Sequence, residues 1–284
     1  MINRIIFLWN RKLPQRIRNL MINCFPLYLN IKHFIQYRKV DIFERLNLET
    51  SSVCNRKCNY CPNVEYERPD KILDFKYIKK IILELKDLNF KGEIAFTGYN
   101  EPLMDTRIAG IIKYIRQHLP DNEITIFTNG DFLTPESFEK LNSLNVTFNI
   151  TLHQIKTDDA STRISSIIKG KKNVNVKRHI ENDILSSRCG SIKVRNPEKR
   201  SSCILPFLEL NIDYNGDILL CCDDYLKTVK WGNIKNDKLI NIWSDYEFKR
   251  IRKNLRYGRI DLPICKKCLN FNGSSRILRQ IDSA

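Results

Sequence analysis

The sequence predicts an α/β protein: a parallel sheet built from alternating strands and helices, followed by a smaller unit made of a β-hairpin and helix. Three observations predict it. Strand-like runs separated by helix-length amphipathic stretches recur from residue 45 to about 194, the pattern that crossover connections between parallel strands produce. Beyond residue 199, two alternating runs flank Asn215-Gly216, the strongest short hairpin signal. Three cysteines, Cys54, Cys58 and Cys61, crowd the loop directly after the first strand.

Taken in order, residues 1–44 form a basic, helical N-terminal extension. It mixes Ile5, Phe7 and Trp9 with Arg16, Arg18 and Phe25, a composition suited to packing on the protein's flank or to peripheral contact with an anionic membrane. The first strand is RLNLETS at 45–51. A helix over 74–89 places Ile78, Ile81, Ile82 and Leu85 on one face, with Asp74 as N-cap. EIAFTG at 93–98 is the second strand. There follow a helix over 106–118, a strand at 123–130, a helix from Pro135, a strand at 146–153, a helix to about 169, and strands at 174–180 and 191–194. That makes six strands, the last two poorly separated. The run 207–224, FLELNIDYNGDILLCCDD, reads as the hairpin. The expected division is 1–44, 45–198 and 199–284.

Cys54, Cys58 and Cys61 are spaced so that three thiolates converge on three corners of an iron-sulfur cube, leaving one iron without a protein ligand. Structural zinc, the first alternative, prefers four ligands, and no fourth Cys or His lies close by. A disulfide is the second; it suits exported proteins, and MINRIIFLWNRKLP does not read as a signal peptide.

With SSVCNRKCNYCPN after a strand and TGYNEPL after the next, the chain resembles the radical SAM superfamily. The resemblance implies a partial (β/α)6 TIM-like barrel with its chemistry at the C-terminal strand ends. It also implies a [4Fe-4S] cluster on Cys54, Cys58 and Cys61 whose open iron binds S-adenosyl-L-methionine. Reductive cleavage would release a 5'-deoxyadenosyl radical that abstracts a substrate hydrogen. Gly98, Tyr99, Asn100, Glu101 and Pro102 match the motif that receives the methionine ammonium group, although Tyr99 and Asn100 depart from its usual residues. On the strand-end rule Thr128, Asn129, His153, and Arg178 or His179 face cofactor or substrate. An ordinary turn at 128–130 and structural histidines are the alternatives.

The later cysteines, Cys203, Cys221, Cys265 and Cys268, resemble the ligand set of the SPASM extension in its shortened, twitch form. One auxiliary [4Fe-4S] cluster is implied, with zinc as the competing metal. Cys222 competes with Cys221, which is preferred because it stands at the family's spacing from Gly216. Of ten cysteines, Cys24, Cys189 and Cys222 are left over.

A fully protein-ligated cluster suits electron transfer, so the expected reaction is dehydrogenation of a small polar, sugar-like or cyclitol substrate, as in the twitch-type aminocyclitol dehydrogenases. Arg178 and Asp223 are the candidates to hold the hydroxyl. Epimerisation, with Cys189 as hydrogen donor, and modification of a short peptide are alternatives within the superfamily. Flavodoxin or ferredoxin is the expected reductant, and the cytoplasm the expected compartment. The 48 basic and 32 acidic residues give +16. Residues 1–45 hold nine Lys/Arg against two acids and 247–284 ten against three, so the barrel itself is no basic nucleic-acid stripe. A zinc-stapled RNA-binding protein, the rival from another class, leaves TGYNEPL unexplained.

Overall fold

The computed structural model describes residues 15–153, 158–179, 186–194, 197, 203–258 and 261–269. A long helix, α1 (Gln15–Tyr37), leads into β1 (Arg45–Leu48), α2 (Phe75–Asp87), β2 (Glu93–Phe96), α3 (Ile108–His118), β3 (Ile124–Thr128) and α4 (Pro135–Asn142). β4 (Thr147–His153), α5 (Asp158–Ile168) and β5 (Val174–His179) continue the alternation. After a 3-10 turn (Arg188–Gly190) come α6 (Leu205–Leu208), β6 (Glu209–Ile212), β7 (Asp217–Leu219), β8 (Lys230–Asn233), α7 (Leu239–Trp243), α8 (Tyr246–Arg256) and α9 (Pro263–Lys266).

All eight strands belong to one sheet in the order β5-β4-β3-β2-β1-β6-β7-β8. The first six are mutually parallel, and β7 and β8 add antiparallel. Six parallel strands are therefore present, but the sixth is not the run at 191–194, which forms no strand. It is β6, the first arm of the hairpin, which pairs in parallel with β1 through Arg45↔Glu209 and Leu48↔Ile212. The run SIKV has the right composition for a strand, but the tight turn just before it, with Arg188 and Cys189 both at positive φ, gives it no straight approach to a sheet edge. The hairpin is thus continuous with the parallel sheet. β8 over KWGN was not expected as a strand.

Two-residue alternation sorts each strand into an apolar and a polar face. Leu46 and Leu48, Ile94 and Phe96, and Ile124 and Ile126 share one face in register and are buried with Ile78, Ile81, Ile82, Ile111, Ile112 and Ile115 of α2 and α3. The opposite face carries hydrogen-bonded polar groups: Arg45 Nε donates to Glu93 Oε2 at 2.7 Å, and Asn47 Nδ2 donates to Glu209 Oε2 at 2.9 Å and Asn211 Oδ1 at 2.8 Å. Asp74 caps α2 as expected, accepting the Lys76 N–H at 2.9 Å.

α1 docks through Leu29, His33 and Tyr37, one residue per turn, and leaves Leu27, Ile31, Phe34 and Ile35 exposed. His33 Nδ1 accepts the Ile42 N–H at 3.2 Å, so Nε2 donates to Glu44 Oε1, 2.5 Å away. Lys32 Nζ lies 2.6 Å from the other oxygen of the same carboxylate. No helix among the described residues is long and apolar enough to cross a membrane.

Candidate functional site

The triplet loop leaves β1 through Glu49 and Ser51 and closes on itself where the Cys61 N–H donates to Cys58 O at 2.8 Å. Burial pushes the Cys54 thiol up to about 11, and Glu101, Cys61 and Cys58 add to the rise. Burial likewise raises Cys58 and Cys61, against Arg56 for the former and against the Asn63 N–H and Arg188 for the latter. Three thiols close enough to feel one another, in a pocket that disfavours their uncompensated anions, fit a cluster that supplies the missing positive charge.

Glu101 of the TGYNEPL segment is buried at the ends of β2 and β3. Its Oε1 accepts from Thr128 Oγ1 at 2.6 Å and the Leu103 N–H at 3.0 Å, and its Oε2 from the Asn129 N–H at 2.8 Å. Burial raises its pKa, and these donors oppose the rise. A carboxylate offers about four acceptor directions, so three occupied ones leave room for one ammonium donor. Thr128 and Asn129 are accordingly drawn together with Glu101. Asn129 Nδ2 also donates to Asn55 Oδ1 at 2.8 Å, and Asp131 receives Asn55 Nδ2 and Arg56 Nε, each at 2.6 Å. The end of β3 is thereby laced to the triplet loop.

Glu49, unremarked in the sequence, braces the same segment. Its Oε1 accepts the Tyr99 N–H at 2.9 Å and its Oε2 faces Arg68 Nη2 at 2.8 Å. Gly98 leaves room for this side chain, since a Cβ would stand 2.7 Å from Glu49 Oε1 and force it to shift. Asn100 Nδ2 donates to Ser51 Oγ at 3.3 Å, and Pro102 opens a short 3-10 turn capped by Glu101. Polar residues at alternate positions of a buried parallel strand, Asn47 and Glu49, were the available signal.

The hairpin reaches back over this motif. The Tyr225 ring meets Tyr99 edge-on at 4.7 Å between centroids and Tyr66 at 5.7 Å, and its hydroxyl donates to Tyr66 O at 3.2 Å. A small cleft of about 40 Å³ lies between, lined by Glu49, Thr97, Tyr99, Cys222, Asp224 and Tyr225 among others.

Asp223 is wholly buried. Its Oδ1 receives Arg188 Nη1 at 2.6 Å and its Oδ2 receives Ser186 Oγ at 2.6 Å. Arg188 also lies over the Tyr99 ring at 5.8 Å. Burial opposes the Arg188 charge, but Asp223 outweighs it and holds the guanidinium above its ordinary pKa. Arg188, from the turn after β5, is thus a partner of Asp223 that the sequence did not single out. Arg178 and His153 are placed by backbone only, in the register Leu152↔Arg178 and His153↔His179 at the β5 end of the sheet, and their side chains lie outside the described residues.

Among the later cysteines, Cys221 is buried, and Cys203, Cys222, Cys265 and Cys268 are half-buried. Hydrogen bonds from Cys189 and Cys222 draw the Cys221 thiol well down, while contacts with Cys221 and Cys268 push Cys189 up. Cys222 lines the cleft, whereas the Cys221 sulfur accepts the Asp223 N–H at 3.3 Å. Soft sulfur donors gathered in this way suit an iron-sulfur cluster. Among the described residues, no three His, Cys, Asp or Glu side chains are grouped as a single metal ion needs.

Comparison with known proteins agrees with this layout. The radical SAM superfamily model matches residues 48–182, and the SPASM iron-sulfur cluster-binding domain matches 203–269. An S-adenosyl-L-methionine-dependent 2-deoxy-scyllo-inosamine dehydrogenase from Niallia circulans is 28% identical over 234 residues, covering 81% of this chain and 94% of the relative. The crystal structure of BtrN in complex with AdoMet and 2-DOIA superposes with a TM-score of 0.74 at 28% identity, over 80% of this chain and 93% of that one. Streptococcus suis SuiB bound to its precursor peptide SuiA, at 14% identity and a TM-score of 0.51 over 90% of this chain and 77% of SuiB, shares the fold alone. A [4Fe-4S] cluster, S-adenosylmethionine and an auxiliary cluster are the cofactors of such proteins. The chain carries a radical SAM domain over residues 48–182 and a SPASM-type iron-sulfur cluster-binding domain over 203–269, the second joined to the sheet of the first through β6 and β1.

Proposed function

We propose that this protein oxidises a secondary alcohol of a small cyclitol or sugar-like substrate to a ketone, as the 2-deoxy-scyllo-inosamine dehydrogenase it resembles is named for doing. When bound, S-adenosylmethionine and the first cluster supply the radical that takes hydrogen from carbon, and the auxiliary cluster supplies an acceptor for the remaining electron. Cys54, Cys58 and Cys61 would hold the first cluster, and Cys203, Cys221, Cys265 and Cys268 the second. Glu101, positioned by Thr128, Asn129 and Leu103, has one acceptor direction left for the cofactor's ammonium group.

The observation that carries the reading is the Arg188–Asp223 pair. Asp223 follows Cys221 and Cys222, and Arg188 is near enough to Cys61 to oppose the rise of its pKa. The pair therefore sits between the two sulfur-rich regions. Arg188, always charged, orients the hydroxyl oxygen and favours loss of its proton; Asp223 is the carboxylate that takes that proton. The carbon loses one hydrogen atom, the oxygen one proton, and one electron leaves, which balances alcohol to ketone.

Anaerobically reconstituted protein, reduced by dithionite, flavodoxin or ferredoxin, should convert 2-deoxy-scyllo-inosamine or a related aminocyclitol to a ketone with one 5'-deoxyadenosine per turnover. Deuterium on the reacting carbon should appear in 5'-deoxyadenosine. Cleavage of S-adenosylmethionine without ketone or deuterium transfer across a panel of aminocyclitols and sugars would overturn the reading.

A further inference from the structure

α1 is apolar on two opposite sides, and the fold uses one of them. At about 3.6 residues per turn, Leu29, His33 and Tyr37 fall on one face of the helix and Leu27, Ile31, Phe34 and Ile35 on the other. The inner face is engaged throughout: Leu29 packs with Leu208 of α6, His33 bonds Glu44, and the Tyr37 hydroxyl accepts the Lys91 N–H at 3.2 Å. The outer four keep 63%, 53%, 52% and 69% of their surface in solvent, in that order, and Cys24, one turn earlier, is exposed as well. A helix lying on a protein surface ordinarily turns polar and charged residues outward. Single exposed apolar side chains need no explanation, but a contiguous stripe of them marks an interaction site.

The charge around the stripe has one sign. Arg38 and Lys39, both exposed, follow it, and the Arg38 guanidinium lies 5.9 Å from the centre of the Phe34 ring. Residues 1–45 hold nine Lys/Arg and two acids. Both acids are taken up within the fold, Glu44 by Lys32 and His33, and Asp41 by Arg252 of α8 at 3.0 Å. A second copy of the chain is a poor partner for this face. The strip from Leu27 to Ile35 is about 12 Å long on a cylinder about 10 Å across, far short of the about 800 Å² per subunit that a stable interface buries. Pairing would also bring like charges together. Residues 1–14 and 270–284 are themselves basic, so charge does not draw them there either. A nucleic acid would answer the charge and leave the stripe in water.

We propose that α1 is an interfacial anchor that lies flat on an anionic lipid bilayer. Leu27, Ile31, Phe34 and Ile35 sink to the boundary between headgroups and acyl chains, and Arg38 and Lys39 meet the lipid phosphates. The helix thereby holds the protein on the membrane surface without crossing it, in keeping with the lack of any spanning helix among the described residues. The docked inner face fixes the body of the protein to this anchor.

The test floats the full chain with phosphatidylcholine vesicles and with vesicles in which about one lipid in three is phosphatidylglycerol. The parent should bind the anionic vesicles, at least about tenfold less tightly when ionic strength rises from about 0.1 M to about 0.5 M. Ile31→Gln with Ile35→Gln should lower that binding at least about tenfold. Arg38→Gln with Lys39→Gln should do the same on anionic vesicles and leave binding to neutral ones unchanged. All four positions are exposed, so thermal unfolding should match the parent, which separates lost anchoring from lost folding. Failure of the parent to bind anionic vesicles overturns the proposal, as does equal binding to neutral ones or parent-like binding by the isoleucine variant. Self-association of the parent that the isoleucine variant abolishes assigns the stripe to a second copy and overturns it too. Should the isoleucine variant melt early, Leu27→Gln decides in its place: undiminished binding there sinks the idea. Neither cluster nor substrate enters the measurement, so its outcome is independent of the reaction proposed above.

Discussion

Arg188 and Asp223 face each other at 2.6 Å, with the carboxylate fully buried and the guanidinium bordering the Tyr99 ring. The ion pair joins the turn after β5 to the segment after β7, and so ties the two sulfur-rich regions together. Asp223→Asn should keep the packing and remove the base. Ketone formation should fall about 100-fold or more, while 5'-deoxyadenosine continues to form without product. Both Asp223→Asn and Asp223→Ala leave Arg188 without its counter-charge and should lower stability by about 3–5 kcal/mol, the alanine also losing the hydrogen bonds to Arg188 and Ser186. Chromatography of both products and thermal unfolding check the two halves.

Gly98→Ala should spare the fold and damage the cofactor site. The added methyl would meet Glu49 Oε1 at 2.7 Å and its Cγ and Cδ at 2.9 Å. Glu49 must then release the Tyr99 N–H, and the segment leading to Glu101 shifts. A displacement of this size costs about 100-fold in rate. Cleavage of S-adenosylmethionine at the parent rate would show that the cradle tolerates movement.

Replacing Cys54, Cys58 and Cys61 together by Ala should abolish that cleavage while leaving about four irons in the auxiliary site. Replacing Cys265 and Cys268 should do the converse: about four irons remain, with cleavage persisting but uncoupled from substrate oxidation. Iron analysis with electron paramagnetic resonance distinguishes the two. Equal iron in both variants and the parent would refute two separate clusters.

Docking of α1 should be sensitive to acid. Burial raises the Glu44 carboxyl, but the hydrogen bonds from His33 and Lys32 prevail and hold it below its ordinary range. A carboxyl lowered on folding contributes stability that is complete above its unfolded pKa of about 4.3 and is lost as pH falls through the lower folded value. Hydrogen exchange in Gln15–Tyr37 should therefore quicken in acid before exchange in β1–β3 does. Glu44→Gln should reproduce the effect at neutral pH, at about 2 kcal/mol.

Much of this was legible because it is local. The triplet spacing, the cap at Asp74, the apolar faces of α2 and α3 and the Asn215-Gly216 turn each depend on residues close in sequence, and each was read within a residue or two. What escaped depends on distant partners. The run at 191–194 has strand-like composition, and only the parallel pairing of β6 with β1 shows that the sixth place in the sheet is taken. Arg188 was not singled out because strand-end rules favour residues at the ends of strands, whereas Arg188 gains its place from a turn stitched to Lys267, Leu269 and Asp223. Glu49 looked like an ordinary alternating polar residue; its contact with Gly98 and Tyr99 is a closeness that no spacing rule encodes.

β6 meets β1 across 164 residues of chain, as the Asn47–Asn211 hydrogen bond records. A ribosome must therefore have delivered nearly three-quarters of the polypeptide before β1 can acquire its second neighbour. Pairings of such high contact order form slowly. Chains released early would expose a raw β1 edge, a template for aggregation. A barrel cut away before residue 203 should accordingly be recovered as insoluble material.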